Sequence, residues 1–146
     1  MMDAIKVEGI DELVAKLKKL DGMSEEMLGE SLLAGALVLE GKIKVSMQQT
    51  PKGGRTYQRG SKSHTASTPG SPPAIDYGNL INSVQSKRDG KDAVVFTNAE
   101  SAPPLEFGTA KMQARPFMRP AAENFKVDAA KAVEATAKRK LDEAAR

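Results

Sequence analysis

Apolar residues near the start of the chain recur at helical spacing. They predict a first helix from about Glu12 to Leu20, with leucines on one face and lysines on the other. Asp11 stands in the N-cap position, and the lysines near the C-terminal end suit the helix dipole. Asp21 and Gly22 end this helix, since glycine commonly follows the last helical residue.

A second, much longer helix is predicted from Ser24, its N-cap, to about Met47. Its middle, "LLAGALVLEG", is apolar almost all round. Such a helix is either central to the fold or packed against a second subunit. Gly29, Gly35 and Gly41 lower helix propensity, and isolated glycines inside a helix indicate close packing at those positions.

Strands are predicted in two places, a weakly alternating stretch and a hairpin signal. A short strand is expected at Ala4–Glu8. Farther along, "NLINSVQSKRDGKDAVVFTN" predicts a hairpin with strands at about Leu80–Ser86 and Ala93–Thr97, because Asp-Gly between apolar runs is a hairpin signal. The turn is expected over residues 88–91.

The C-terminal part predicts a last, alanine-rich helix from Pro120 to about Glu143, since proline fits the first turn of a helix. The predicted fold class is therefore α+β: N-terminal helices including one long central helix, an antiparallel hairpin or sheet, and a C-terminal helix. The 146 residues fit a single domain, 1–146, with residues 50–75 as an extended loop insertion.

This insertion, from Thr50 to Ile75, is rich in Gly, Pro, Ser and Thr and carries no acid. It holds too few apolar residues to fold alone. Three interpretations stay open: a flexible connector, a loop ordered by a partner protein, and a contact with nucleic-acid phosphates. The candidate contact residues are Lys52, Arg55, Tyr57, Arg59 and Lys62. They suit a salt-sensitive phosphate contact, but not sequence readout without an element that enters a groove.

Composition narrows the possible functions. The 22 basic and 19 acidic residues give a net charge of only +3, which does not indicate a dedicated nucleic-acid binder. Without cysteine the chain can form no disulfide, which suits a reducing cytoplasm. The N-terminus "MMDAIKVEGI" predicts no signal peptide, and no apolar run predicts a membrane span.

The sequence offers little catalytic chemistry. His64 is the single histidine and lies in the polar loop, where a solvated side chain is favoured over a catalytic base. "TPKGGRT" and "RGSKS" do not match the phosphate-binding loop pattern. No residue cluster has metal-ligand spacing. We therefore predict no catalytic, cofactor-binding or metal-binding residues, no cofactor, and no enzyme activity.

The segment Leu105–Pro120, "LEFGTAKMQARPFMRP", combines bulky apolar residues, arginines and prolines in a stretch predicted to be extended rather than helical. One interpretation is that its apolar side chains cap the protein's own core. The other is an interface with another protein, because arginine and aromatic residues are enriched at interfaces. The candidate interface residues are Glu106, Phe107, Arg115, Phe117, Met118 and Arg119.

In an extended segment, side chains two apart share a face. This alternation predicts Arg115, Phe117 and Arg119 on one face and Met118 on the other. One face would then enter the core while the other is offered outward.

The same segment resembles the most characteristic part of a family of small tail-component proteins from long-tailed bacteriophages. The family pattern is E-F-G-T, a short spacer, then A-R-P-F-hydrophobic-R-P-A, and the chain matches it at 106–109 and 114–121. "DYGNLINSV" is similar to a second family element, with Tyr77 where the family usually has threonine and Val84 where it has isoleucine. The segment "IKVEGIDELVAKLKKL" is also typical of the family. The resemblance covers nearly the whole chain except the 50–75 loop, which only some members share.

The resemblance implies a structural virion protein that forms a ring, six-fold in symmetry, at the head-proximal end of a phage tail. It implies a neck, tail-completion or head–tail joining role, or alternatively a terminator ring that caps the tail tube. Its partners would be further copies of itself and other neck, connector and tail-tube proteins, with non-specific contact to DNA in the channel and no membrane. It would be made in the host bacterial cytoplasm and reside in the virion. An alternative of another class is a DNA-binding accessory protein that uses the basic loop.

Overall fold

The computed structural model describes residues 10–146, and the strand predicted at Ala4–Glu8 lies outside them. The described part is α+β, as the sequence predicts. Its elements in chain order are α1 Ile10–Lys18, α2 Glu25–Gln49, β1 Thr56–Arg59, β2 Lys62–Thr65, α3 Asn79–Ser83, β3 Gln85–Asp89, β4 Asp92–Phe96, α4 Ala102–Phe107 and α5 Arg119–Ala144.

The long central helix α2 begins where the sequence predicts. Ser24 has extended backbone angles, and its Oγ accepts a hydrogen bond of 3.1 Å from the Met27 backbone N–H. This bond satisfies one of the donors that a helix start leaves free, and Glu25 and Glu26 follow in the first turn, where the helix dipole favours acids. The helix therefore has a local start signal that needs no tertiary contact.

Helices α2 and α5 pack against each other along most of their lengths. Gly35 permits a close approach, since a Cβ there would lie 2.6 Å from Cγ2 of Val133 and 3.1 Å from the carbonyl oxygen of Ala129. Of the three glycines for which the sequence predicts close packing, Gly35 meets α5 directly and Gly29 lies under the guanidinium of Arg88. At Gly41 the prediction is wrong within this chain, because an added Cβ would meet no atom of it within 4 Å.

We expect Gly35→Ala and Gly41→Ala to change stability in opposite directions. The methyl at position 35 must displace α5 and should cost about 1–3 kcal/mol. The methyl at position 41 enters open space in a helix interior and should add about 0.5–1 kcal/mol to the free energy of unfolding. Urea unfolding of the two variants at low protein concentration measures both values, and equal shifts would contradict the close approach at Gly35.

Charged side chains also hold α2 to its neighbours. Nη1 of Arg88 on β3 donates to a carboxylate oxygen of Glu26 at 2.6 Å. Near the C-terminal end of α5, Nζ of Lys140 contacts the carboxylate of Glu30 on α2. The hydrogen bond from Lys140 lowers the pKa of Glu30 below its ordinary value, although partial desolvation acts in the opposite direction.

The predicted hairpin exists as β3 and β4, which pair from Gln85 with Phe96 to Asp89 with Asp92. Gly90 has φ 63° and forms the two-residue turn with Lys91. Such Gly-X turns match the twist of the flanking strands, because glycine at the first turn position accepts a positive φ. The Asp-Gly signal therefore located the hairpin, but the turn expected over residues 88–91 is Gly90-Lys91 alone, because Arg88 and Asp89 pair within β3.

The predicted start of the first strand at Leu80 is wrong, because Asn79–Ser83 form the short helix α3. Ile81 and Val84, three residues apart, are both buried in the main core. This spacing is helical, whereas the hairpin signal predicted a strand over the same residues. Ser83 Oγ also lies 2.6 Å from Oγ1 of the buried Thr97, which joins α3 to the residue after β4.

A second hairpin, β1–β2, lies inside the 50–75 insertion, where the sequence analysis predicted no regular structure. Thr56 pairs with Thr65 and Arg59 with Lys62. Gly60, at φ 58°, supplies the same kind of Gly-X turn as Gly90. The strands are largely exposed and contain few apolar residues, so neither apolar alternation nor composition indicated them.

The core has two parts. The smaller cluster joins α1, α2 and α5 through Leu17, Leu28, Val133 and Ala137. The larger cluster joins α2, α3, α4 and the start of α5 through Ile43, Met47, Ile81, Val84, Ala102, Phe117, Met118 and Ala121. The larger cluster includes Phe117 and Met118, so the proline- and arginine-rich segment Leu105–Pro120 contributes directly to the core.

Candidate functional site

The proline- and arginine-rich segment ends in α5, so the extended conformation predicted for Arg115–Pro120 is wrong from Arg119 onward. The segment also begins in a helix, so the expectation that it can hardly be helical is wrong for Leu105–Phe107. These residues end α4, whose first turn contains Pro103 and Pro104. Prolines are tolerated there because the first N–H groups of a helix have no intrahelical acceptor. Gly108 follows with φ 76°, and a Cβ there would lie 2.9 Å from the backbone nitrogen of Ala114. The chain thus reverses at Gly108 and returns alongside α4.

Glu106 organises this return. Its side chain is buried, and its Oε2 accepts backbone N–H bonds from Phe117 at 2.8 Å and Met118 at 3.1 Å. Its Oε1 accepts a third, from the Arg119 N–H at 2.9 Å. Arg119 is the first residue of α5, and the N-cap residue Met118 makes no side-chain cap bond. Glu106 therefore caps α5 from α4, with a carboxylate at the end of the helix that favours negative charge.

Arg115 is also held inside the protein and is 7% exposed. Its backbone N–H donates to the Leu105 carbonyl oxygen at 2.6 Å, and its Nε donates to the Ser67 carbonyl oxygen at 3.1 Å. The Gly70 N–H donates to the carbonyl oxygen of Ala114 at 2.9 Å. The 50–75 insertion is thereby fastened to this segment by main-chain and side-chain bonds.

Phe117 and Met118 are both buried in the larger core cluster. This arrangement corresponds to the interpretation in which these residues cap the protein's own core. The predicted alternation, with the two side chains on opposite faces, is wrong because Met118 has right-handed helical backbone angles where α5 begins. The same turn carries Arg119 away from Phe117 and out to solvent.

Of the six candidate interface residues, Phe107 and Arg119 are exposed, and Phe107 exposes 60% of its surface. Glu106, Arg115, Phe117 and Met118 are buried within the chain itself. An interface role for the segment therefore rests on Phe107 and Arg119, while the four buried residues hold them in place. The family-like pattern E-F-G-T…A-R-P-F-M-R-P corresponds to one folded unit, built around the Glu106 carboxylate.

The five candidate loop residues lie on or beside the β1–β2 hairpin. The guanidinium of Arg55 lies 5.4 Å from the Tyr57 ring centre, and Nζ of Lys62 lies 5.7 Å from the ring of Tyr77. Arg59 forms an ion pair with Asp76. Lys52 is exposed, and within residues 10–146 no contact holds its charge.

His64 is not the solvated side chain that the sequence favours. Its side chain is 12% exposed, and Nδ1 lies 3.4 Å from Oδ1 of Asp76, which also binds Arg59. Asp76 comes just before α3, so both contacts fasten the hairpin to the body of the protein. Across residues 10–146, no group of three or more acidic or histidine side chains is arranged to hold a metal ion.

A cavity of about 560 Å³ lies between this hairpin and helices α3 and α4. Apolar side chains that line it include Met47, Ile75, Ile81 and Leu105, and its polar lining includes the following residues: Arg59, His64, Ser67, Asp76 and Arg115. Ser67 is completely buried, and its Oγ is the one buried side-chain oxygen or nitrogen in residues 10–146 without a hydrogen-bond partner. Ser67 could not be predicted from the sequence, because nothing local distinguishes it from the other serines of the insertion.

An apolar stripe on α2 is a second feature that the sequence analysis did not single out. Leu37 exposes 53% of its surface and Val45 43%, and the exposed Gly41 lies between them at four-residue spacing. Residues four apart share one helix face, so Leu37 and Val45 lie on the same face with Gly41 between them. We call Leu37, Gly41 and Val45 the α2 stripe.

Charged residues flank the α2 stripe. Lys44 Nζ lies 2.7 Å from the Glu40 carboxylate. Partial burial raises the pKa of Glu40, but hydrogen bonds from Lys44 and Ser86 outweigh it, so that the pKa is lowered. Glu40 therefore stays ionised at neutral pH and provides a polar edge beside the apolar stripe.

Comparison of the chain with protein-family models, curated proteins and solved structures finds no match. In the part of the chain from Ile10 onward, no helix has both the length and the apolar character needed to cross a membrane.

Proposed function

We propose that this chain is a structural protein of a phage virion, assembling as a ring at the head-proximal end of the tail. Its role would be neck formation, tail completion or head–tail joining, with a terminator ring on the tail tube as the alternative. The ring would contain six copies and would contact other neck, connector and tail-tube proteins. The resemblance of residues 106–121 to the phage tail-component family motivates the proposal.

The α2 stripe is the observation that carries the proposal furthest. Single exposed apolar residues are ordinary, whereas two apolar side chains exposed on one face of a rigid helix favour contact with another protein. Gly41 at its centre leaves open space, which allows another backbone to approach closely. The flanking Glu40–Lys44 pair supplies the polar rim typical of protein interfaces.

Phe107 and Arg119 provide separate exposed groups near the start of α5. A ring requires that each subunit uses two different surfaces, one for each neighbour. The α2 stripe and the Phe107–Arg119 region are two such surfaces. Each lies on a rigid scaffold, so little conformational entropy is lost when a partner covers it.

We expect the double variant Leu37→Lys and Val45→Lys to remain folded and to lose self-association. Both side chains are exposed, so the expected change in monomer stability is within about 1 kcal/mol. Two charges placed in an apolar contact should weaken association at least tenfold, because each must be desolvated. Light scattering coupled to size-exclusion chromatography measures the oligomer, with circular dichroism as the check on folding.

Ala135→Lys is the matched control, since Ala135 is an exposed residue on α5 outside the stripe. It should assemble as the unchanged protein does. If the unchanged protein stays monomeric alone and also fails to join purified phage heads or tails, the ring proposal is wrong. Electron microscopy of virions would then be expected to show no density for its long α2 and α5 helices at the neck.

The DNA-binding alternative has its own support in the hairpin. Lys52, Arg55 and Lys62 are exposed and have no acidic partner in the described structure. Phosphate contacts of this kind would weaken steeply as salt increases. Such contacts are also compatible with a ring that surrounds the DNA path.

A further inference from the structure

We propose that the 560 Å³ cavity beneath the β1–β2 hairpin receives an acidic side chain, flanked by apolar residues, from a partner protein. Arg115 would bind its carboxylate, and Ser67 would donate a hydrogen bond to it. This inference deepens the proposed assembly function and rests on it for the partner's origin. The binding chemistry itself is set by the residues that line the cavity.

Arg115 is the first reason. It is nearly buried, yet its guanidinium makes a single hydrogen bond, from Nε to the Ser67 carbonyl oxygen. Within residues 10–146, its two terminal nitrogens have no hydrogen-bond acceptor, and no carboxylate lies within 4 Å of them. These nitrogens are not among the fully buried atoms that lack a partner, so they keep some accessible surface, and their fork of donors matches a carboxylate.

Ser67 is the second, independent reason. Its side chain has no exposed surface, lines the same cavity, and leaves its Oγ without a partner. Buried hydroxyl groups are nearly always hydrogen-bonded, so an unpartnered one calls for an explanation. A carboxylate in the cavity would accept from this hydroxyl and from Arg115 together, because Ser67 and Arg115 are already joined by a hydrogen bond.

The other residues of the cavity define what surrounds the carboxylate. Met47, Ile75, Ile81 and Leu105 contribute apolar surface, which favours a chain segment with aliphatic side chains beside its acid. A cavity of this volume admits one or two side chains but not a nucleic-acid strand with its sugars and phosphates. These features favour a protein segment over DNA.

The one carboxylate that lines the cavity, Asp76, is already bound by Arg59 and lies close to His64. Its charge is therefore compensated and does not repel an entering acid. The exposed side chains of Arg55 and Lys62 add positive charge on the neighbouring hairpin. Charge complementarity thus points to an acidic occupant.

The test uses the full-length protein and two synthetic peptides, acetyl-Leu-Glu-Leu-amide and acetyl-Leu-Gln-Leu-amide. Nuclear magnetic resonance follows the Met47 methyl group, the Ser67 amide and the Arg115 Nε–H during titration. We expect the glutamate peptide to shift all three signals and to bind roughly tenfold more tightly than the glutamine peptide, because only the former offers a charged acceptor.

Ser67→Ala is the decisive variant. It removes an oxygen that has no partner in the free protein, so the fold should be kept and its stability unchanged or slightly raised. Affinity for the glutamate peptide should nevertheless fall about threefold to tenfold. Ser61→Ala, in the exposed hairpin turn, is the control that should leave the affinity unchanged.

Arg115→Gln should abolish the preference for glutamate over glutamine, provided that its circular dichroism spectrum matches that of the unchanged protein. Equal binding of the two peptides, or no shift at about 10 mM peptide, overturns the inference. A twelve-nucleotide thymidine strand that shifts the cavity signals when the glutamate peptide does not would also overturn it and would favour DNA. None of these outcomes affects the light-scattering test of the ring, so the two proposals can fail separately.

Discussion

Replacing Glu106 by alanine is expected to destabilise the protein by about 3–5 kcal/mol. The carboxylate accepts three backbone N–H bonds at the start of α5, two of them in fully buried surroundings. Without it, these donors are left with no acceptor, and each buried unsatisfied donor costs about 1–3 kcal/mol. Urea unfolding followed by circular dichroism measures the loss.

Two further substitutions separate this effect from a general change of charge. Glu106→Gln keeps an acceptor oxygen but not the charge, so its loss should be smaller, about 2 kcal/mol. Glu123→Gln removes a carboxylate that is exposed near the start of the same helix, and it should stay within about 0.5 kcal/mol of the unchanged protein. A loss below about 0.5 kcal/mol for Glu106→Ala would contradict the capping role.

Replacing Phe117 by alanine should have an effect of similar size, about 3–5 kcal/mol. Phe117 is among the largest fully buried side chains and contributes to the larger core cluster. Its removal leaves a cavity in addition to the lost apolar burial. Thermal or urea unfolding gives the loss directly.

Arg119→Ala is the informative comparison for Phe117→Ala. The Arg119 side chain is exposed and forms no hydrogen bond or ion pair within residues 10–146, although its backbone N–H binds Glu106. The free energy of unfolding of Arg119→Ala should therefore differ from that of the unchanged protein by less than about 0.5 kcal/mol. If assembly fails in Phe117→Ala but not in Arg119→Ala, the segment acts through the core. Loss of assembly in a fully folded Arg119→Ala supports the interface instead.

Local signals in the sequence were sufficient for much of the fold. Ser24 and the acids after it located the start of α2, and Asp89-Gly90 located the β3–β4 hairpin. Both signals act over a few residues through hydrogen bonding or backbone angles. Apolar residues are sparse in β1–β2, so the sequence did not predict that hairpin. In α3 their spacing is ambiguous, and a strand was predicted where a helix forms.

The candidate site depended on contacts that sequence spacing does not encode. Glu106 reaches residues 11 to 13 positions later, and Arg115 reaches Ser67, which lies 48 positions away. The alternation expected of an extended chain could not predict where Phe117 and Met118 lie. Helix α5 begins directly after Met118, and its cap is Glu106 from another helix, α4. The α2 stripe was contained in the predicted all-round apolar helix, but only packing shows which face is left uncovered.

The bond between Arg115 and Ser67 also has a mechanical consequence. Ser67 follows the β1–β2 hairpin closely, and Arg115 stands only four residues before the first turn of α5. A partner that pulls on the hairpin therefore strains a short path to the base of a helix 26 residues long. At about 1.5 Å per residue, that helix is nearly 40 Å long, and because α5 packs on α2 along most of its length, a displacement at its base would be resisted by the whole α2–α5 interface.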